Sequence, residues 1–294
     1  MKRTVVDLSI ITVNYNGWKD TKALIVSLQK HLSFPYELII VDNGSKQDEA
    51  IILQDLFPSI QIIRSQINLG FAGGNNLGIK QAKGDYLLFL NNDVLLKDDS
   101  IKLLPEFLEQ NPTWGGISPK ILFADSPEII QFAGCTTLSR ITLRNKQIGY
   151  RERDRGQYER PQRIPYLHGA AMCIRKKVIE QIGLMPEVYF LYYEELDWCA
   201  QMTAKGYVLG YLPQARVYHK ESSSTGQESP LKAYYMTRNR LLYARRNIKR
   251  GEYPLVLLYL LIFAYPKTVV CFLLRGKIKQ AKAVIQGIID YMRL

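Results

Sequence analysis

The stretch LLFLNNDVLLK, residues 87–97, decides how the rest of the chain is read. An apolar run stops at Asn91-Asn92-Asp93 and an apolar run resumes at Val94. That pattern reads as a buried strand whose C-terminal end opens into a site. In an open α/β sheet, ligands bind at that end. A carboxylate flanked by two carboxamides suits a divalent cation with oxygen ligands, and such a cation commonly also holds a phosphate. The alternative is a polar strand end closed by an Asx-turn.

Upstream, strands and helices alternate. Val5–Val13 reads as a central strand rather than a signal peptide, because MKRTVVDLSIITVNYNG has no long apolar core and turns polar at Asn14. Trp18–His31 has apolar residues at helical spacing. Strands follow at Glu37–Val41, Ile60–Arg64 and Asp85–Leu90, with helices at Glu49–Phe57 and, after the glycine-dense Asn68–Asn76, through Ala82. Such alternation predicts a mostly parallel sheet flanked by helices. Downstream, the spacing predicts a helix over Ser100–Gln110 and a strand over Gly115–Leu122. Phe123–Arg163 reads as loops with short strands. Strands are expected at Tyr166–Ile174, Tyr207–Leu212 and Ala215–Tyr218, and helices at Lys176–Ile182 and Glu194–Lys205. Ser222–Pro230 (SSSTGQESP) reads as a flexible connection, which divides the chain into residues 1–230 and a tail, 231–294.

The net charge of +12 is concentrated in that tail: Lys232–Leu294 carries thirteen Lys and Arg against Glu252 and Asp290, or +11. A nearly neutral main body argues against nucleic-acid binding. Within the tail, Leu255–Tyr265 and Thr268–Leu274 are apolar and separated by Pro266-Lys267. Together they have the length to cross a bilayer, but the interruption and the basic flanks favour a helix or helical hairpin lying on a membrane surface. Packing on the body or on a partner is the alternative. The four cysteines are widely spaced and form no CxxC pair, which fits free thiols in a reducing cytoplasm.

Several residues can carry chemistry. Asn14, Asp42 and Asp93 end three of the expected strands, so a parallel sheet brings them to one edge. Asp42 can accept hydrogen bonds from a base or ribose, or cap a helix. Gly73 and Gly74 permit close backbone approach to a ligand, with Asn75 and Asn76 adding carboxamides; a plain helix cap is the alternative, and the segment lacks GxGxxG. Tyr189–Cys199 (YFLYYEELDWC) sets Glu194, Glu195 and Asp197 among aromatics, where carboxylates tend towards raised pKa values suited to a general base; an acidic helix N-terminus also explains part of it. His219 can bind a metal through a neutral imidazole or serve structurally.

These motifs occur in order, from Val13-Asn14-Tyr15-Asn16-Gly17 through Val41–Ser45, Asn68–Asn76, Leu90–Val94 and Tyr192–Cys199 with Gly206-Tyr207 to Val217–Lys220. The set resembles a family 2 glycosyltransferase of the GT-A fold, near the rhamnosyltransferase-like branch, over about Leu8 to Asn247. The resemblance implies that Thr12, Val13 and Asn14 border a nucleotide base read by Asp42, with Asn68, Gly73 and Asn75 near the ribose and diphosphate. Asn91-Asn92-Asp93 takes the place of the family's DXD motif, leaving Asp93 and His219 to hold Mg²⁺ or Mn²⁺. Glu195 takes the role of catalytic base, with Asp197 and Glu194 as alternatives. His168 and Gly169 fall on the acceptor side, and Arg238-Asn239-Arg240 reaches the diphosphate when Ser222–Pro230 closes as a lid.

The implied function is inverting sugar transfer from a nucleotide sugar, with dTDP-L-rhamnose preferred, to a glycan or lipid-linked acceptor. The expected place is the cytoplasmic face of the inner membrane, in cell-surface polysaccharide synthesis. Two other functions fit the fold: a non-catalytic nucleotide-sugar or glycan-binding module, and a metal-dependent nucleotidyltransferase. Retention of Asp93, Glu195 and His219 together argues against the first. The lack of a Lys/Arg-rich triphosphate loop near residues 14–20 argues against the second.

Overall fold

The structure is a computed structural model that describes residues 7–220 and 229–294. The expected lid, Ser222–Pro230, lies outside the described residues except for its last two. The first half alternates in the expected order: β1 (Leu8–Asn14), α1 (Trp18–His31), β2 (Glu37–Asn43), α2 (Glu49–Leu56), β3 (Gln61–Ser65), α3 (Gly70–Gln81) and β4 (Tyr86–Leu90). β1 lies between β2 and β4, and β3 flanks β2, all parallel. Helices cover this part of the sheet, so β1, β2 and β4 are buried along most of their length and read as apolar runs rather than alternating ones.

α3 starts within the glycine-dense segment, not after it. The reason is packing. A Cβ on Gly74 would lie 2.8 Å from Val13 Cγ1, and one on Gly78 would lie 2.5 Å from Ile11 Cγ2. These glycines let the helix settle on β1. A Cβ on Gly73 would meet the Leu69 side chain at 2.6 Å. The close approach expected for a ligand is taken by the protein's own elements.

The second half comprises β5 (Val94–Leu95), a 3₁₀ turn leading into α4 (Leu103–Gln110), β6 (Trp114–Phe123), β7 (Ile130–Phe132), β8 (Gln162–Arg163), β9 (Ala171–Arg175), α5 (Lys176–Ile182), α6 (Glu194–Ala204) and β10 (Val208–His219). The sheet order is β3-β2-β1-β4-β9-β6-β10-β5. The parallel run ends at β9, which is antiparallel to both β4 and β6; β10 and β6 pair in parallel. The expected strand over Tyr166–Ile174 thus begins only at Ala171, and the segment before it meets the end of β4, where Asn91 N–H donates to Ala170 O. The two strands expected over Tyr207–Tyr218 form one, with a register shift between Leu212 and Arg216. Pro213 has no N–H to give the ladder, which suits a bulge.

The tail forms α7 (Pro230–Asn247), α8 (Tyr253–Leu258), a π-wound turn (Tyr259–Ala264), α9 (Tyr265–Leu274) and α10 (Ile278–Met292). Pro266 does not break the rod. The widened π turn precedes it, at a place where irregular backbone bonding tolerates a missing N–H. Gly276, at φ +69°, reverses the chain between α9 and α10, so Tyr253–Met292 makes a hairpin. Gly287 brings α10 against α7, where a Cβ would lie 2.8 Å from Tyr234 O. The tail helices share an apolar core with Leu143, Tyr189 and Tyr193 of the preceding chain. The opposite face is apolar and open: Leu255, Leu258, Ile262, Phe263, Val270 and Leu273 are all more than half exposed.

Candidate active site

The turn after β4 is built by its own backbone. Val94 N–H donates to Asn91 O, and Lys220 N–H donates to Asp93 O, where β5 pairs with the end of β10. That pairing brings together two residues 126 positions apart: His219 Nε2 lies 3.0 Å from Asp93 Oδ1, with both side chains buried. His219 Nδ1 is 2.8 Å from the buried Gln131 Oε1, an acceptor, so Nδ1 carries the hydrogen in that bond. In the neutral ring, Nε2 then turns its lone pair towards the Asp93 carboxylate. Two facing acceptors favour a cation between them. The carboxylate of this pair is the donor type that suits Mg²⁺ or Mn²⁺, and the imidazole nitrogen adds a second ligand. Among the described residues no cluster of three or more His, Cys, Asp or Glu forms a metal cage, so remaining ligands would come from substrate or water.

This pair lies in a cavity of about 360 Å³ at the strand ends. Val13, Asn68, Asn91, Asn92 and Asp93, half of the expected donor-side residues, line it together with His168 and His219. His168 Nδ1 accepts from Ala170 N–H, which leaves the ring's hydrogen on Nε2. Burial, then the nearby His219, pulls the His168 pKa down to about 3, so the ring is a neutral donor.

Other expected donor residues are placed differently. Asn14 is fully enclosed: Nδ2 donates to Asp42 Oδ1 at 3.0 Å and Glu49 Oε2 at 2.8 Å, while Oδ1 accepts from Thr21. Asp42 is 1% exposed, and its Oδ1 also accepts from Ser45. Glu49 in turn accepts from Gly17 and Trp18 N–H. These residues therefore shape the loops at 14–18 and 42–45 from beneath. Thr12 is buried in the sheet, Gly73 packs on Leu69, and Asn75 donates to Phe71 O within its own helix. None of Thr12, Asn14, Asp42, Gly73 or Asn75 lines the cavity. The neighbours Tyr15 and Asn43 line it instead, with Phe71, Gln131, Gln147, Phe190 and Tyr192.

A second cavity, of about 600 Å³, adjoins the first; Tyr192 and Lys232 line both. Glu195 faces this one, and a Cβ on Gly169 would lie 3.9 Å from Glu195 Cγ. Both glutamates open α6. Glu194 is 3% exposed, and burial with the charge of Glu195 raises its pKa well above the carboxylate range. Burial also raises Glu195, opposed by backbone N–H groups at the helix start. Asp197 is not disposed as a base: Arg246 Nε donates to it at 2.6 Å and Asn247 Nδ2 at 3.0 Å, tying α6 to the end of α7.

The segment before α6 is held in an unusual backbone. Phe190, Tyr192 and Tyr193 have φ of 65°, 68° and 78°, values uncommon for bulky residues. The fully buried Asn239 fixes them, with Nδ2 at 2.7–2.9 Å from the carbonyls of Tyr189, Leu191 and Tyr192. Arg238 donates to Val188 O and Tyr189 O. Arg240 lines the second cavity rather than the first. Of the expected diphosphate-binding trio, two residues brace this loop and the third faces the Glu195 side.

Residues 9–183 match the family described as Glycosyl transferase family 2. A hexosyltransferase of low-salt glycan biosynthesis, Agl10 of Haloferax volcanii, is 30% identical over 84% of this chain and 80% of its own. The N-acetylglucosaminyl-diphospho-decaprenol L-rhamnosyltransferase of Mycobacterium tuberculosis is 24% identical over 75% of this chain and 78% of its own. Among solved structures, a mannosyltransferase from Pyrobaculum calidifontis superposes with a TM-score of 0.61 at 11% identity, covering 99% of this chain and 88% of that one. The arrangement of sheet and helices is thus the GT-A fold.

Proposed function

The chain belongs to glycosyltransferase family 2, and from that premise we propose that it moves a sugar, L-rhamnose by preference, from a nucleoside-diphosphate donor to a lipid-linked glycan. The observation that carries this reading is the junction at Tyr192 and Lys232. There, a cavity with the Asp93–His219 pair meets a cavity with the Glu195 carboxylate. The preference for L-rhamnose, from dTDP-L-rhamnose, rests on likeness to the rhamnosyltransferase branch and on the mycobacterial relative's name.

In this reading the donor's diphosphate lies by Asn91–Asp93 and its anomeric carbon points to the junction. Asp93 and His219 would hold Mg²⁺ or Mn²⁺, which supplies charge compensation for the leaving diphosphate. Glu195 takes the proton of an acceptor hydroxyl. That oxygen forms the new bond to the anomeric carbon, the bond to the diphosphate oxygen breaks, and its electron pair leaves with the nucleotide. Attack from the face opposite the nucleotide inverts the centre. The neutral His168 ring, with hydrogen on Nε2, offers a donor at the cavity wall.

The same reading takes residues 1–230 as the catalytic unit, its donor half ending near 98, and 231–294 as a tail for association with the cytoplasmic face of the membrane, where lipid-linked acceptors reside. The test is metal-dependent nucleotide release with a panel of nucleotide sugars. Glu195→Gln should lower kcat by about 10²–10⁴-fold, the range for losing a general base, and Asp93→Ala should abolish the metal dependence. Undiminished turnover in both variants would remove the assigned roles.

A further inference from the structure

The second cavity holds more than Glu195. Arg240 is 8% exposed, and its Nη2 donates to Thr142 O. Its Nε is buried and, among the described residues, finds no hydrogen-bond acceptor. Nor does its guanidinium form an ion pair among the described residues. A buried guanidinium with an unused donor is costly unless an anion completes it. Two further cations line the same space, Arg144 and Lys232. Arg144 is set at the rim by a tight turn, in which Ser139 N–H donates to Arg144 O and Leu143 N–H donates to Ser139 O. Apart from Asn145, Ser229, Thr237 and Thr268, the rest of the wall is apolar or aromatic, and the tail gives half of it, with Met236, Phe272 and Val284 among its residues. The outer side of the π-wound turn and α9 continues this apolar character at Ile262, Phe263 and Leu273.

Resting on the glycosyl-transfer reading, we propose that this cavity seats the acceptor's carrier. Arg240, Arg144 and Lys232 bind a phosphate or diphosphate group, and the wall of α7, α9 and α10 takes the first part of an attached lipid chain. Guanidinium groups match phosphate oxygens through paired, charge-assisted hydrogen bonds. An anion with an apolar chain satisfies both halves of the cavity; a neutral glycan leaves the cations unmatched, and a free anion leaves the apolar wall wet. Glu195 lines the same space, so a sugar joined to that anion has its hydroxyl beside the base.

The test is equilibrium binding of farnesyl diphosphate to the full chain, with dTDP, UDP and Mg²⁺ saturating the first cavity. Farnesyl diphosphate should bind at least tenfold more tightly than either farnesol or inorganic diphosphate. Arg144→Ala and Arg240→Gln should each weaken it by at least tenfold. Arg144 is exposed, so its variant keeps the fold and decides the matter even if Arg240→Gln does not fold. Equal binding of farnesyl diphosphate and farnesol overturns the proposal, as does wild-type affinity in Arg144→Ala or loss of binding when the nucleotides are added. No sugar transfer is measured, so this result is independent of the turnover assay with Glu195→Gln and Asp93→Ala.

Discussion

At the scale of single residues, the paired glutamates set the pH behaviour. In the role proposed for it, Glu195 must be ionised to act, and burial lifts its pKa above the ordinary glutamate value of 4.5. Activity should therefore fall on the acid side with a midpoint above 4.5. A kcat/KM profile of wild type against Glu195→Gln checks this: the variant should lose that limb along with its rate. Glu194 has a different consequence. Its pKa in the folded chain is raised by burial and by Glu195, so the folded state holds the proton more tightly than the unfolded one. Stability from this site is fullest below the ordinary glutamate value of 4.5 and declines as pH rises towards the folded value. Glu194→Gln removes the ionisation, so its Tm should exceed that of wild type at pH 8, with the gap narrowing at pH 4. An equal gap at both pH values would mean that the charge on Glu194 is not the source. Asp197 illustrates how a third acidic residue in the same motif takes another part: Arg246 and Asn247 occupy both of its oxygens.

At the scale of elements, α3 rests on β1 through glycine. Alanine at Gly78 gains about 1 kcal/mol of helix propensity. It also places a methyl 2.5 Å from Ile11 Cγ2, in a central strand where Ile11 is fully buried. Overpacking of that kind costs about 1–3 kcal/mol, so Gly78→Ala should be net destabilising, seen as a lower denaturant midpoint. This is also where sequence reading reaches its limit. The alternation from β1 to β4 was legible because β1, β2 and β4 are short apolar runs and α1 has apolar residues at helical spacing. The Asn91–Asp93 turn was legible because a polar break interrupts a buried strand. The glycines of α3 were not, since glycine for a ligand and glycine for a neighbouring strand leave the same letters. Asn14 and Asp42 pose a similar ambiguity: a polar strand end does not reveal whether its partner is substrate or, as for Asn14 here, Glu49. Gln131, which orients His219, lies in a segment with no periodic signal and is placed only by the pairing of β7 with β6.

At the scale of the whole molecule, charge and apolar surface coincide in the tail. Lys232–Leu294 carries +11 of the +12 net charge. Tyr253–Leu274 runs for 22 residues; its most apolar 18-residue stretch has a mean hydropathy of 2.1, and only 22% of that stretch is buried. Its inner side closes the second cavity through Tyr265, Thr268 and Phe272, so the exposed outer side can lie on a lipid surface while the cavity stays beside the bilayer. On the membrane association proposed for the tail, two forces would hold the protein there, and they separate experimentally. Basic residues near an anionic surface contribute about 1 kcal/mol each and are screened by salt. Burial of a large apolar side chain contributes about 1.5–3 kcal/mol and is not. Ile262 and Phe263 are 55% and 62% exposed, so the double substitution Ile262→Glu, Phe263→Glu should leave Tm near wild type. It should lower partitioning onto anionic vesicles by about a hundredfold or more, since two such side chains are withdrawn. High salt on the wild type should give a partial loss, because the apolar share remains. Co-sedimentation of the double variant at the wild-type level would mean that this face is not the one in contact with lipid, and that the basic residues alone bring the chain to the membrane.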